Sequence, residues 1–429
     1  MNYADFLALK AKQVPAIGIQ VEDSDIHESL FQFQRDLVRW ALGKGRCAIF
    51  ADTGLGKTRM QIEWARLMGG VGLILAPLAV CPQTVREAKE LGVDLTYLHE
   101  GEIIGEGLYI TNYERASRVD PSVLQSVVLD ESSILKNVDG KTRRFLTDHF
   151  ADVPYRLACT ATPAPNDTAE LTNHAEWVGA STRVDMLAAY FVHDDTGWRL
   201  KGHARDAMWK WVSSWAAAVR TPKDLGYSDA RYHLPGLEII PHYINIELAQ
   251  EGRLFATDLG GVGGRSQIRR ATLDARVRKA AELVEEESEE PWILWCGLND
   301  ESDALAKLIP GSVNVQGSMS PEAKADAALR FVEGDVRVLI SKPSILGFGM
   351  NFQHCARMAF VGLSDSYESY YQCIRRSYRF GQTRKVYAHV VLSELEAQIA
   401  QNVARKEATA HAGMDQLVGY TYQEIEGTK

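Results

Sequence analysis

The chain has 429 residues and a hydrophobic content of 46%, which predicts two or three packed domains and excludes a disordered chain. Its formal net charge of −9 argues against a protein that coats nucleic acid over its whole surface, although it allows a local basic groove. No apolar run reaches the length of a membrane span and the six cysteines form no C-x-x-C pair, so we expect a cytoplasmic protein with reduced thiols and no membrane partner.

The first half of the chain alternates short apolar runs with helical patterns. The runs lie at Cys47–Phe50, Gly72–Ala76, Gly107–Thr111, Ser126–Leu129 and Tyr155–Cys159. This alternation is typical of a parallel sheet with helices on both faces. Ligands of such sheets bind outside the carboxyl ends of the strands, and the chemically suggestive residues of this half come directly after these runs.

A glycine-rich loop, Ala51–Thr58, lies between the first run and a helical pattern. It matches the phosphate-binding pattern G-x-x-x-x-G-K-[ST], except that Ala51 replaces the first glycine. Such a loop cradles the phosphates of a nucleoside triphosphate with its N–H groups, and its hydroxyl holds Mg²⁺. We therefore predict ATP and Mg²⁺ as cofactors. The predicted nucleotide-binding residues here are Thr53, Gly54, Leu55, Gly56, Lys57 and Thr58, with Lys57 also catalytic and Thr58 also a metal ligand.

Two adjacent acids, Asp130 and Glu131, end the fourth apolar run. We predict that Asp130 binds the nucleotide through Mg²⁺, directly or through water, and that the catalytic Glu131 orients and deprotonates the attacking water. The segment Thr160–Pro163 comes after the next run, and its two hydroxyls could sense phosphate. An ordinary Ser/Thr turn would also explain that segment in isolation.

A Trp-rich helical pattern over 173–220 comes after this half. We expect Trp209, Trp211 and Trp215 to pack in a helical core, which is favoured over a stacking platform for bases. A second α/β pattern begins at Trp292 and contains no phosphate-binding loop. We predict three parts: an N-terminal ATP-binding lobe (1–172), a helical insertion and connection (173–245), and a C-terminal lobe with a final helix (246–429).

Two arginines in the second α/β pattern, Arg376 and Arg379, are three residues apart and would share a face at a helix end. Phosphoryl transfer needs positive charge at the γ-phosphate, and an arginine from another domain often supplies it. We therefore predict that both arginines are catalytic. A basic surface helix is the alternative, which the flanking Gln372 and Gly381-Gln382 make less favourable.

These segments, taken in order, resemble the superfamily-two helicases, and within them the Swi/Snf-type ATPases, over residues 30 to 392. Phe33-Gln34 matches the early glutamine motif of that family, which contacts adenine. Ser344–Gln353 resembles its fifth motif and Gln372–Gln382 its sixth. The second motif reads Asp-Glu-Ser-Ser, where the family more often has Ala and then His or Gln, so the link to the third motif can differ.

The resemblance implies two RecA-like lobes, each a mostly parallel sheet flanked by helices, with ATP in the cleft between them. Gln34 and Gly349 would join the nucleotide-binding residues. The implied activity is that of a DNA-dependent ATPase that translocates on DNA, with duplex favoured, in a compact form found in bacteria and phages. A nuclease, repair or replication protein is a possible partner.

Two other functions are compatible with these motifs. A strand-separating DNA or RNA helicase of the same superfamily would share every catalytic residue. A slow nucleotide-gated binding switch would share the nucleotide site but hydrolyse ATP too slowly for a motor. The intact Glu131 and the two arginines argue against the switch.

Overall fold

The computed structural model describes residues 14–427 except 100–102, 104, 138–139, 196, 231, 233, 245–271, 348–350, 365 and 394–396, and gives residues 321 and 397–399 by their backbone alone. The chain divides into two compact units, one of Met1–Tyr232 with Glu407–Lys429 and the other of His233–Lys406. The boundaries of these units differ from those of the three predicted parts. Most of the predicted helical insertion belongs to the first unit, and the last residues of the chain belong to it as well.

The first unit contains a seven-stranded sheet. Its strands are β1 (Arg46–Ala51), β2 (Val71–Ala76), β3 (Leu95–Tyr97), β4 (Gly107–Asn112), β5 (Ser126–Asp130), β6 (Tyr155–Cys159) and, after a separate hairpin of β7 (Phe191–Asp194) and β8 (Gly197–Leu200), β9 (Ala216–Val219). Their order is β3-β4-β2-β5-β6-β1-β9, and every neighbouring pair is parallel. The helices are α1 (Gln32–Lys44), α2 (Lys57–Met68), α3 (Cys81–Glu90), α4 (Lys141–His149), α5 (Leu171–Val178), α6 (Arg183–Tyr190) and α7 (Arg205–Ser213).

Both faces of this sheet are buried, which explains why its strands read as continuous apolar runs. Successive side chains point to opposite faces, so that Phe50 and Leu73 belong to one core cluster while Ile49 and Ile74 belong to the other. The parallel arrangement places the ends of β1 and β5 at the same edge of the sheet. The phosphate-binding loop and the acid pair therefore leave the sheet from one edge.

The helical insertion predicted after the third motif is present and contributes to the first unit. Trp209, Trp211 and Trp215 are buried in one of its core clusters, which confirms the prediction of core packing. The segment Ala216–Val219, predicted as helical, is instead the edge strand β9, paired with β1. Alanine favours a helix in isolation, and the tertiary pairing overrides that weak preference.

The second unit contains a six-stranded sheet. Its strands are β10 (Leu237–Ile244), β11 (Trp292–Cys296), β12 (Val313–Val315), β13 (Val338–Ser341), β14 (Arg357–Val361) and β15 (Val386–Ser393). Their order is β10-β15-β14-β11-β13-β12, again with every neighbouring pair parallel. The helices are α8 (Leu273–Glu286), α9 (Asn299–Leu308), α10 (Pro321–Glu333), α11 (Pro343–Leu346) and α12 (Tyr367–Ser377). The two sheets with their helices confirm the predicted α/β fold of two mostly parallel lobes.

The final helix, α13 (Ala397–Glu426), carries the end of the chain back to the first unit. Thr421 accepts a hydrogen bond from the backbone N–H of Ala218 over 2.8 Å, and Arg220 forms an ion pair of 2.6 Å with Asp415. Leu417 is buried in the core cluster that contains Trp215. No helix among the described residues is long and apolar enough to cross a membrane.

Candidate nucleotide-binding site

The phosphate-binding loop connects β1 to α2, and two of its glycines adopt backbone conformations that other residues avoid. Gly54 has φ of 87° and Gly56 has φ of 78°, both in the left-handed region, and α2 begins at the next residue, Lys57. A Cβ atom on Gly56 would also lie 2.3 Å from Nε2 of Gln34. Gly56 is therefore favoured by its backbone angle, and a larger residue would also displace the Gln34 amide.

The buried side chain of Gln34 joins α1 to this loop. Its Oε1 accepts a hydrogen bond from the N–H of Phe31 over 2.9 Å, and its Nε2 donates one to the carbonyl of Leu55 over 2.8 Å. Gln34 thus holds the loop in place, a role that sequence reasoning missed. The adenine contact predicted for Gln34 stays a prediction.

The side chain of Lys57 is buried within the loop. Its Nζ donates hydrogen bonds to the carbonyl oxygens of Ala51 over 2.8 Å and Asp52 over 3.3 Å. Burial lowers the pKa of Lys57, while the carboxylates of Glu131, Asp52 and Asp130 oppose that shift. A buried ammonium group that is poorly solvated is well suited to exchange these carbonyl partners for phosphate oxygens.

Asp130, at the end of β5, is a buried carboxyl group with identified supporting contacts. Its Oδ1 accepts a hydrogen bond from Nε2 of Gln61 over 2.7 Å, and its backbone carbonyl accepts one from the Tyr113 hydroxyl over 2.5 Å. Burial and the neighbouring Glu131 raise the pKa of Asp130 to about 6, against the effects of Gln61 and Lys57. The site can therefore release a proton from Asp130 near neutral pH.

Glu131 is the only non-glycine residue with positive φ in the described part of the chain, with φ and ψ both 54°. Such a left-handed conformation costs ~1–3 kcal/mol, and it persists where surrounding contacts enforce it. The hydroxyl of Thr160, in the predicted phosphate-sensing segment, donates to Oε2 of Glu131 over 3.4 Å. The second and third motifs therefore touch each other through these two side chains.

The structure brings together all of the predicted first-lobe site residues that surround Lys57. Thr53, Gly54, Leu55, Gly56, Thr58, Asp130 and Glu131 come after strand ends at the carboxyl edge of one sheet, and Gln34 reaches the loop from α1. Sequence reasoning missed Gln61 and Tyr113. Gln61 is four residues after Lys57 and so lies on the same face of α2, a spacing that could have identified it.

The two predicted catalytic arginines belong to the second unit. Arg376 is buried near the end of α12, where its Nη2 donates to Oε1 of Gln372 over 2.8 Å and its carbonyl accepts the N–H of Phe352 over 2.9 Å. Arg379 lies just after the end of α12. Gly349 lies outside the described residues.

The ligand chemistry of this edge fits Mg²⁺ held together with a nucleotide. The hydroxyl of Thr58 and the carboxylate of Asp130 are hard oxygen ligands, which Mg²⁺ prefers. Mg²⁺ is usually bound by one or two protein ligands together with substrate phosphates and water, so these two side chains would suffice as protein ligands.

Part of the second unit matches a known protein family. Residues 275–381 match the helicase conserved C-terminal domain family. That match covers α8 to the end of the segment that carries Arg376 and Arg379.

A curated relative and a solved structure are also similar to this chain. The SWI/SNF-related matrix-associated actin-dependent regulator of chromatin subfamily A-like protein 1 of Xenopus tropicalis is 25% identical over 184 residues, which are 37% of this chain and 18% of the relative. The Sulfolobus solfataricus SWI2/SNF2 ATPase core in complex with dsDNA is 18% identical, with a TM-score of 0.45 and coverage of 95% of this chain and 97% of that one. The helicase C-terminal domain and the Swi/Snf-related relative confirm the resemblance that the motifs predict, to the superfamily-two helicases of Swi/Snf type.

Proposed function

We propose that this chain is a DNA-dependent ATPase of Swi/Snf type that uses ATP hydrolysis to translocate on duplex DNA. The observation that carries the proposal is the meeting of Lys57, Asp130 and Glu131 at one edge of the first sheet. A buried cation, a metal-binding carboxylate and a carboxylate base are the groups that ATP hydrolysis requires. The helicase C-terminal domain of the second unit supports a motor over a simple ATPase.

In the proposed reaction, the loop N–H groups and Lys57 bind the phosphates of ATP. Thr58 and Asp130 would hold Mg²⁺, which when bound would supply positive charge to offset that of the phosphates. Glu131 orients the attacking water and accepts its proton. Arg376 and Arg379 neutralise the negative charge of the γ-phosphate in the transition state, and Gln34 contacts adenine.

The proposed substrate track is duplex DNA, bound mainly through its phosphates and so without much sequence reading. This part of the proposal rests on the Swi/Snf-type resemblance. The six cysteines are buried free thiols, which suits a reducing compartment such as the cytoplasm. A nuclease, repair or replication protein would be the partner that such a motor serves.

The decisive experiment measures ATP turnover without nucleic acid and with single-stranded DNA, duplex DNA, forked DNA and RNA. We expect duplex DNA to stimulate turnover most, and Glu131→Gln to abolish turnover while ATP binding remains. Stronger stimulation by forked or single-stranded nucleic acid, together with strand displacement, would instead indicate a strand-separating helicase. Turnover that no nucleic acid stimulates would indicate a nucleotide-gated switch, and near-normal turnover by Glu131→Gln would refute the site assignment.

A further inference from the structure

Two buried side chains outside the predicted site contact each other next to Glu131 in the chain. Ser132, the residue after it, has its Oγ 3.1 Å from Nε2 of His174 on α5, and both side chains are fully buried. We propose that this Ser132–His174 contact sets the orientation of the Glu131 carboxylate and that His174 is a positioning residue for water activation. This inference rests on the proposed ATPase function.

The backbone explains why such a contact is needed. Glu131 is left-handed, and the short 3-10 turn Ser132–Lys136 begins directly after it. A strained backbone of this kind is retained only where neighbouring contacts define it on both sides. Thr160 contacts the Glu131 carboxylate on one side, and the Ser132–His174 contact fixes the next residue of the chain on the other.

Helix α5 is well placed to hold this turn. Nδ2 of Asn173, the neighbour of His174, donates to the carbonyl of Leu135 over 2.9 Å and to that of Lys136 over 3.3 Å. The two adjacent residues of α5 therefore contact both the beginning and the end of the turn. A change in the position of α5 would be passed to the backbone of Glu131.

His174 also contacts the strand that leads to the phosphate-binding loop. The ring of Phe50 in β1 meets the imidazole edge-on, with ring centroids 5.3 Å apart and an angle of 84° between the planes. Phe50 directly precedes Ala51, where the loop begins. Burial lowers the pKa of His174 to about 4, although the backbone carbonyls of Glu170 and Ser132 oppose the shift, so the ring is neutral at pH 7. The contact is therefore a neutral hydrogen bond in a packed environment.

The same contact connects the second motif of this chain to the helix that comes after the third motif. His174 lies on α5 and reaches Ser132 from there. The contact therefore joins the residue directly after Glu131 to a helix that comes after the third motif in the chain.

The test compares Ser132→Ala and His174→Leu with the rescue variant His174→Gln and the control Ser213→Ala. Leucine is similar in size to histidine but cannot form the hydrogen bond. The amide of glutamine reaches about as far as Nε2 of histidine, so His174→Gln can restore the bond. Ser213 is a buried serine of the same unit, and its hydroxyl donates to the carbonyl of Lys210 over 2.9 Å. Ser213→Ala therefore removes one buried serine hydrogen bond, as Ser132→Ala does, but away from Glu131. For each variant, kcat and KM for ATP are measured with saturating duplex DNA, together with the thermal midpoint.

We expect Ser132→Ala and His174→Leu to lower kcat about fivefold to tenfold, as for the loss of one oriented hydrogen bond, with KM for ATP unchanged. His174→Gln should recover most of kcat, and Ser213→Ala should keep it. The proposal is overturned if the two loss variants keep the kcat of Ser213→Ala, or if kcat falls only in step with the thermal midpoint and glutamine does not rescue it. A wild-type chain that does not hydrolyse ATP would instead overturn the proposed function, and the role of this contact with it.

Discussion

The substitution Asp130→Asn is expected to remove a pH dependence from the stability of the first unit. Burial and the Glu131 carboxylate raise the pKa of Asp130 from its ordinary value of 3.8 to about 6. Because the folded pKa is the higher one, the stabilisation present below pH 3.8 is lost as the pH rises through about 6. At about 1.36 kcal/mol per pKa unit, this loss amounts to ~2.4 kcal/mol between pH 4 and pH 7. Asparagine cannot titrate, so the variant should gain that amount relative to the wild type over the same range.

Hydrogen exchange of peptides that cover β1, β5 and β6, corrected for the intrinsic pH dependence of exchange, would measure this effect without Mg²⁺ or nucleotide. The control is Asp120→Asn, since hydrogen bonds from Ser122 lower the pKa of that exposed carboxyl below its ordinary value of 3.8, and its substitution should leave the pH dependence between pH 4 and pH 7 nearly unchanged. If Asp130→Asn and the wild type lose protection in parallel from pH 4 to pH 7, then Asp130 does not hold its proton as described, and the reasoning fails.

Three further substitutions test the loop, the second unit and the returning helix. Gly56→Ala should weaken ATP binding about tenfold to a hundredfold in a fluorescent-nucleotide titration, because it combines backbone strain with a steric clash against Gln34. The control is Gly69→Ala. Gly69 has a similar φ of 71° but open space around its Cβ position, so this variant should bind ATP normally. Arg379→Ala should leave ATP binding intact and lower turnover roughly 10³-fold to 10⁵-fold. The control Arg384→Ala should keep normal turnover. An equal loss of turnover in both variants would indicate a general effect of positive charge. Arg220→Ala should lower stability by less than about 1 kcal/mol, because the Asp415 side of its ion pair is largely solvent-exposed, and should raise hydrogen exchange in residues 407–427. Unchanged exchange there would contradict the role of that contact.

The parts of the site that sequence could predict are those with a local signature. The loop Ala51–Thr58 and the pair Asp130-Glu131 come after buried parallel strands, and such strands appear as uninterrupted apolar runs. Their meeting at one sheet edge is then a consequence of the parallel topology alone. The placement of these residues was predictable because the strands, the loop and the acid pair are each identified by a short stretch of consecutive residues.

The parts that could not be predicted depend on contacts between distant residues. The strand β10 lies at the edge of its sheet and contains Pro241, which breaks the local strand signal but is tolerated in an edge strand. His174 carries no local signature, because its meaning comes from Ser132, forty-two positions earlier in the chain. The same holds for Thr421, whose contact with Ala218 joins residues that are 203 positions apart.

The charges at the sheet edge lead to a last prediction about binding. Burial raises the pKa of Asp130 and lowers that of Lys57. The buried site therefore disfavours the ionised form of each side chain until a ligand of opposite charge binds beside it. Mg²⁺ on Asp130 would favour the ionised carboxylate, so binding of Mg²⁺ with a nucleotide near pH 6 must release a proton that this group otherwise keeps. Calorimetry at pH 6 in buffers of different ionisation enthalpy measures that release, and Asp130→Asn should release about half a proton less than the wild type, as expected for a group titrated at its own pKa. Equal proton release by both proteins would mean that Asp130 is ionised before the metal arrives, and that burial does not set its charge.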